Sequence, residues 1–380
     1  MSESKYTTLN THIPELDGLR GIAILSVLFY HLFWFTSDNG GQWSGLPLVI
    51  YHAAQMGWIG VNLFFVLSGF LITRILINQK NEPHYFSRFY TKRTLRILPL
   101  YLITLVFIFF YFPDSTKFVL LSLLFLGHAS DLFGVTACYP GLWSLSIEEQ
   151  FYLFWPWVVR KLSTKKLQLI CLSICVIEPV IRAIIYFNHQ VTVLNLLSGF
   201  DGFAYGAGLS ILFCKFHANK NILKQFSYLT LGLACLIIII FAKHGIFTRK
   251  ELVGEMLLPS IIYLLATALM AICLAYSGHK RLFLFSKGIL PSWGKVSYAA
   301  YLCHYMVPKA LERLFLLLPS TLFNPISFSF CFIRALVYIS ATYFLSLLIY
   351  QFIERPFLRL KTLLTQDKKP ALTSAEALFT

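Results

Sequence analysis

Apolar runs separated by short polar connections recur along the whole chain. Ten of them read as membrane spans, at roughly 18–36, 54–77, 96–112, 146–160, 168–187, 194–214, 226–242, 256–276, 297–317 and 328–353, about 20 residues being the length the hydrocarbon core requires. The pattern predicts an all-α polytopic membrane protein with about ten transmembrane helices. A further stretch, 118–129 (FVLLSLLFLGHA), is apolar but short. It is expected to form a re-entrant or interfacial segment packed against protein. The membrane domain then covers 14–356, between an N-terminal segment, 1–13, and a tail, 357–380, expected to be polar and loosely ordered after Leu360.

Charge orients these spans. One set of connections holds Lys5 and Arg20, then Arg74 through Arg96, Arg160 through Lys166, Lys215 through Lys224, Lys280 through Lys295 and Arg355 through Lys369. The opposite set holds only Lys117, Lys243, Arg249 and Lys250. By the positive-inside rule both termini are expected in the cytoplasm, in a multi-pass protein of the cytoplasmic (inner) membrane. Counting 118–129 as a span would invert every later loop and destroy that asymmetry.

Composition agrees with the class. Hydrophobic residues make up 57% and charged residues 13%, against about a quarter charged in a soluble domain. The net charge of +15 falls in short clusters and never in a long basic run interleaved with aromatics, so no nucleic-acid partner is expected. The eight cysteines include no CxxC pair, and seven lie in or beside apolar runs. With no HExxH and no glycine-rich phosphate loop either, neither a disulfide framework nor a metal site is expected. The first apolar stretch follows Glu15, Asp17 and Arg20, unlike a cleavable signal peptide.

Five polar constellations interrupt this background. In the first span Asp17, Arg20 and His31 stand in ELDGLRGIAILSVLFYH. Arg20 and His31 are eleven positions apart, so they share a helical stripe about 16 Å long. Ionisable groups in a span usually face a functional interior, although Arg20 also suits an interfacial anchor and His31 a structural hydrogen bond. In the second span Asn62, Ser68 and Gly69 suit interhelical bonding and close packing. Before the third, Arg93 and Arg96 share a face. They read either as a snorkelling cluster or as guanidinium forks for a phosphate-bearing ligand. In GLWSLSIEEQFYLFWP, Glu148 and Tyr152 share a face while Glu149 turns about 100° away. Helix capping by Ser144 or Ser146 with dipole compensation competes there with an acid that orients a histidine. In the ninth span His304 follows Ser297, Tyr298 and Tyr301, and a satisfied structural histidine is the alternative reading. Asp201 is a further intramembrane acid, and Glu354 beside Arg355 reads as a structural ion pair.

Taken in order, these segments resemble the acyltransferase-3 family of integral membrane acyltransferases, which includes bacterial O-antigen and polysaccharide O-acetyltransferases. The likeness runs from about Ile13 to Leu360. Arg20 and His31 match its arginine, ten residues, histidine motif; GVNLFFVLSGFLI its second-helix signature; Arg93 and Arg96 its arginines before the third span. WSLSIEEQFY matches its serine-x-glutamate signature at Ser146 and Glu148, and SYAAYLCHYMVP and ERPF also fit.

The resemblance implies transfer of an acyl group, commonly acetyl, from cytoplasmic acyl-CoA to a hydroxyl of a cell-surface or lipid-linked glycan. Acyl-CoA is then a substrate, and no permanently bound cofactor is expected. Arg20, Arg93 and Arg96 are expected to bind the donor phosphates. His31 is expected to act as general base or nucleophile, with Glu148 orienting it. Asp17, Ser68, Ser146, Tyr152, Asp201 and His304 are expected in support. Some family members carry a fused soluble hydrolase-like domain, and too few residues follow Glu354 here to form one. A non-glycan acceptor stays open. So does a polytopic secondary transporter, although the paired half-sequences that would mark one are not visible.

Overall fold

The computed structural model describes residues 12–34, 43–188, 199–217, 219–243, 252–316 and 327–365. The expected N-terminal segment up to residue 11, the start of the 194–214 span, the end of the 297–317 span and the tail after 365 lie outside them. All regular structure among the described residues is helical.

Helix α1 (Pro14–Phe29) continues into a π-helical turn, Tyr30–Trp34. Next come α2 (Leu46–Gln55), a 3-10 turn and α3 (Ile59–Asn78), which together form one long apolar stretch. They are followed by α4 (Tyr85–Tyr111), α5 (Thr116–Leu123), α6 (Leu142–Lys161) and α7 (Thr164–Asn188). The chain proceeds through α8 (Phe200–Phe216), α9 (Lys220–Lys243) and α10 (Leu252–Ala275) to the short helices α11 (Phe283–Ser286) and α12 (Ile289–Lys295). It ends with α13 (Ser297–Cys303), α14 (Met306–Leu316), α15 (Phe328–Ile349) and α16 (Arg355–Thr365), a second π turn, Tyr350–Glu354, joining the last two.

Seven of these stretches are long and apolar enough to cross a membrane. Three expected spans depart from that standard for different reasons. Helix α6 carries Glu148, Glu149, Arg160 and Lys161 in 20 residues, and α8 has only 17. The expected span 297–317 is not one helix, because the chain breaks at His304–Tyr305 between α13 and α14. The 118–129 segment is a short helix, α5, followed by a 3-10 turn over Gly127–Phe133, as its length required. The loose order expected after Leu360 is corrected over the next five residues, since α16 continues to Thr365. Its Phe357, Leu358 and Leu360 supply an apolar stripe at helical spacing. Large apolar side chains such as Phe110, Leu229 and Phe352 are exposed, the surface a bilayer-facing bundle presents.

Helix pairs meet through glycines. A Cβ on Gly21 would lie 2.0 Å from the carbonyl oxygen of Leu290, pinning α1 against α12, and one on Gly69 would lie 2.1 Å from that of Phe203, pinning α3 against α8. Without a hydrophobic effect between helices in lipid, this close approach supplies the association energy. Gly21→Leu is therefore expected to destabilise the bundle by about 3 kcal/mol, at the upper end of overpacking costs. Thermal unfolding of the detergent-solubilised protein reads that loss, and an unchanged midpoint would contradict the packing argument.

Candidate functional site

Two cavities share a neck. The inner one, about 190 Å³, lies between α1, α3, α4, α6 and α13, and Ser68, Arg93, Glu148, Glu149 and Tyr152 line it. The outer vestibule, about 890 Å³, is bordered by Asp17, Arg74, Lys287, Lys295 and Glu354. Arg20, Arg96, Leu71 and Ile75 belong to the walls of both. The three arginines expected to act together therefore do converge. They come from the first turns of α1 and the middle of α4, which the chain brings together only by packing.

Arg20 donates from Nη1 to Asp17 Oδ1 at 2.5 Å, an i,i+3 ion pair at the neck, and His12 Nε2 lies 2.7 Å from the other Asp17 oxygen. Asp17 thus holds Arg20 in place. Arg93 reaches deeper, its guanidinium carbon 5.0 Å from the centre of the Tyr152 ring and 5.8 Å from that of Phe89. A planar guanidinium is suited to such stacking.

Glu148 is the hub of the inner cavity. Its Oε1 accepts from Ser68 Oγ at 2.5 Å and from the Tyr152 hydroxyl, while Tyr152 and Ser68 are themselves 3.3 Å apart. Ser68 thus makes the interhelical bond its sequence context predicted, from the cavity wall. The capping alternative for this region does not hold. Helix α6 begins at Leu142 with Gly141 before it, so both glutamates lie in its second turn. Ser146 Oγ instead donates back to Leu142 O at 3.0 Å, and Ser144 Oγ meets the Tyr301 hydroxyl at 2.5 Å. Glu149 also lines the cavity despite its 100° offset, with a buried Oε1 that has no hydrogen-bond partner among the described residues. A cavity wide enough to be flanked by two adjacent helical positions defeats the one-face argument.

His31 is elsewhere. Its Nδ1 is 3.0 Å from Val27 O, and its ring packs 5.0 Å from His304 and 4.9 Å from Tyr305. Among the described residues no hydrogen bond or ion pair joins it to Glu148, which corrects the expected contact. The π turn that contains His31 changes its direction relative to an α-helical register, as single π turns do, often at functional sites. Tyr301, bonded to Ser144, contributes to the cavity wall, and its ring is 5.6 Å from His304. Tyr301 therefore stands between the inner cavity and the histidines.

Asp201 lies outside both cavities, in a buried cluster of its own. Arg182 Nη1 is 2.9 Å from Asp201 Oδ2 and 3.7 Å from Glu178 Oε2, and Ser260 bridges Arg182 and Asp201. Glu178 in turn accepts from the backbone N–H of Phe200 at 3.1 Å, at the start of α8. This network ties α7, α8 and α10 together and corrects the placement of Asp201 beside the site. The i,i+4 spacing of Glu178 and Arg182 within an apolar run was the signal for it. Arg355 bonds Gln351 at 2.8 Å and makes no ion pair with Glu354, which is buried on the vestibule wall. Arg74, Lys287 and Lys295 are vestibule residues that the sequence offered only as topology charges.

An all-helical membrane bundle with a basic vestibule leading to a carboxylate-centred cavity defines the class, and the chain belongs to the acyltransferase-3 family. The family model for this acyltransferase domain matches residues 13–353. Among its relatives, the peptidoglycan O-acetyltransferase OatA of Listeria monocytogenes is 31% identical over 222 residues, 50% of this chain and 33% of the relative. The O-acetyltransferase OatA of Staphylococcus aureus is 32% identical over 167 residues, 39% of this chain and 25% of the relative. The match thus spans a third or less of the length of these relatives. No solved structure matches the chain.

Proposed function

We propose that this protein is a membrane O-acetyltransferase that takes an acetyl group from acyl-CoA at the cytoplasmic face and delivers it to a hydroxyl of a cell-surface glycan, with peptidoglycan or its lipid-linked precursor as the first choice. The observation that carries the reading is the shared neck. Arg20 and Arg96 border both the 890 Å³ basic vestibule and the inner cavity that holds Glu148. A phosphate-rich head and a long thioester arm match that shape in charge and in order. Arg74, Arg96, Lys287 and Lys295 come from two connections that the charge pattern assigns to the cytoplasm, which supports donor entry from that side.

In this reading Arg20 and Arg96 hold donor phosphates at the neck and Arg93 marks the inner end. Glu148 organises Ser68 and Tyr152 around the arm. His31, with Nδ1 committed to Val27 O, offers Nε2 as the base for the acceptor hydroxyl. The glycan acceptor is supported by the relatives, both O-acetyltransferases, of which the Listeria monocytogenes protein is a peptidoglycan O-acetyltransferase.

The test is acetyl transfer from labelled acetyl-CoA by the purified protein in liposomes, with mass spectrometry of muropeptides from cells with and without it. Loss of an acetyl increment in cells lacking the protein is expected, and identical profiles would overturn the acceptor. Arg96→Ala is expected to raise the donor KM about tenfold, the loss of one charge-assisted hydrogen bond, with kcat nearly kept. An unchanged KM would remove Arg96 from the phosphate site.

A further inference from the structure

The vestibule holds more positive charge than its own acids neutralise. Arg20, Arg74, Arg96, Lys287 and Lys295 border it, against the two carboxylates of Asp17 and Glu354. Asp17 is committed to Arg20 and His12. Glu354 is buried on the wall, and its Oε1 has no hydrogen-bond partner among the described residues. Neither Lys287 nor Lys295 forms an ion pair among the described residues, although both are exposed. Two cations thus face the vestibule uncompensated.

Packing fixes where these two lysines stand. Gly294 meets α1 so closely that a Cβ there would lie 1.9 Å from the Asp17 carbonyl oxygen. Lys295 therefore follows directly on the residue pressed against the turn that carries Asp17 and Arg20. Its ammonium lies 4.9 Å from the centre of the Tyr350 ring, a cation–π contact that holds the charge at the vestibule wall. Lys287 stands at the other end of α12, across Gly288, whose φ of 93° turns the chain into the helix. Both lysines line the vestibule and neither lines the inner cavity.

The inference rests on the acyl-transfer reading above, in which Arg20 and Arg96 take the donor diphosphate at the neck. Coenzyme A carries one further anion, the 3′-phosphate of its ribose, at the end away from the thioester. A phosphate monoester bears about 1.5 to 2 negative charges at neutral pH, which two lysines balance. A lysine ammonium suits it as a point charge that needs no bidentate geometry. We propose that Lys287 and Lys295 form the subsite for this 3′-phosphate. The protein then selects free coenzyme A thioesters over a phosphopantetheine arm carried on another protein, which presents the same thioester without the adenosine 3′-phosphate.

The test is equilibrium binding to the full chain in phosphatidylcholine nanodiscs, whose headgroups add no net anionic charge. Coenzyme A and 3′-dephospho-coenzyme A are the probes, so no acceptor is needed. The parent is expected to bind the dephospho form about 30-fold more weakly, within the range of charge-assisted hydrogen bonds. In Lys287→Met/Lys295→Met the apolar stems are kept and only the charges are lost. That variant is expected to lose about 30-fold on coenzyme A and to stay within about threefold of the parent on the dephospho form. Arg96→Ala is expected to weaken both probes alike and to keep the preference. A parent that binds the two probes equally overturns the subsite and leaves the donor reading standing. A double variant that keeps the preference, or loses both probes in equal measure, overturns the assignment to these lysines. Should it fail to reach the membrane, the single variants decide, each expected to lose about fivefold on coenzyme A alone. A parent that binds no coenzyme A overturns the donor reading itself, and the inference with it.

Discussion

His31→Ala is expected to reduce acetyl transfer by at least about 10³-fold, within the range that removal of a general base produces, while the protein stays in the membrane. The two halves of this expectation have separate grounds. In the proposed mechanism activity depends on one atom, Nε2, because Nδ1 is committed to Val27 O. Insertion and folding depend on the apolar face of α1, where Leu19, Ala23, Ile24, Val27 and Leu28 are buried, and none of these is touched by the substitution. Loss of the ring removes packing against Tyr30, His304 and Tyr305 and is expected to lower thermal stability only modestly. Label transfer from acetyl-CoA, set beside membrane abundance and melting of the solubilised protein, checks both halves. Undiminished transfer would remove His31 from the mechanism. Loss of transfer together with loss of the folded protein would show that its role is packing.

The sequence carried the span pattern and the Arg93–Arg96 pair, because apolar runs and charge clusters are local properties of the chain, while the grouping of Arg20 with that pair came only with the family resemblance. What it hid is geometric. The π turn at Tyr30–Trp34 leaves no compositional mark, so His31 was placed on the Arg20 stripe, whereas only Arg20 reaches the cavities. The break at His304–Tyr305 did have a local signal that hydropathy alone passes over, since Pro308 has no N–H to bond the His304 carbonyl four residues back. Tertiary contacts hold it, with the Tyr305 ring tilted against His31 and edge-on to Tyr139 and the Tyr139 hydroxyl donating to Leu302 O at 2.5 Å. Asp201 illustrates the reverse case. An acid in a span invited a functional reading, yet its partner Arg182 is 19 positions upstream and the pair is a structural tie. Partner identity across helices is a packing outcome, and hydropathy is silent about it.

Glu148→Gln is expected to lower kcat about 10²-fold with a small change in donor KM. Two hydroxyls, those of Ser68 and Tyr152, converge on Glu148 Oε1. An ionised carboxylate oxygen accepts two such donors strongly, through charge-assisted bonds, whereas a neutral amide oxygen holds them more weakly. The replacement also puts an NH2 donor where Oε2 stood and removes one negative charge from a cavity walled by Arg20, Arg93 and Arg96. Both hydroxyls are then free to turn toward the donor arm, and Arg93, stacked on Tyr152, loses the ring position that fixes it. Because these groups act as one unit, their effects are expected to be non-additive. Tyr152→Phe alone is expected to cost about tenfold, and adding it to Glu148→Gln is expected to cost little more than Glu148→Gln itself. A double-mutant cycle on kcat measures the coupling. Full additivity would mean that Glu148 and Tyr152 contribute independently, and a Glu148→Gln enzyme as fast as the parent would leave the carboxylate with a packing role alone.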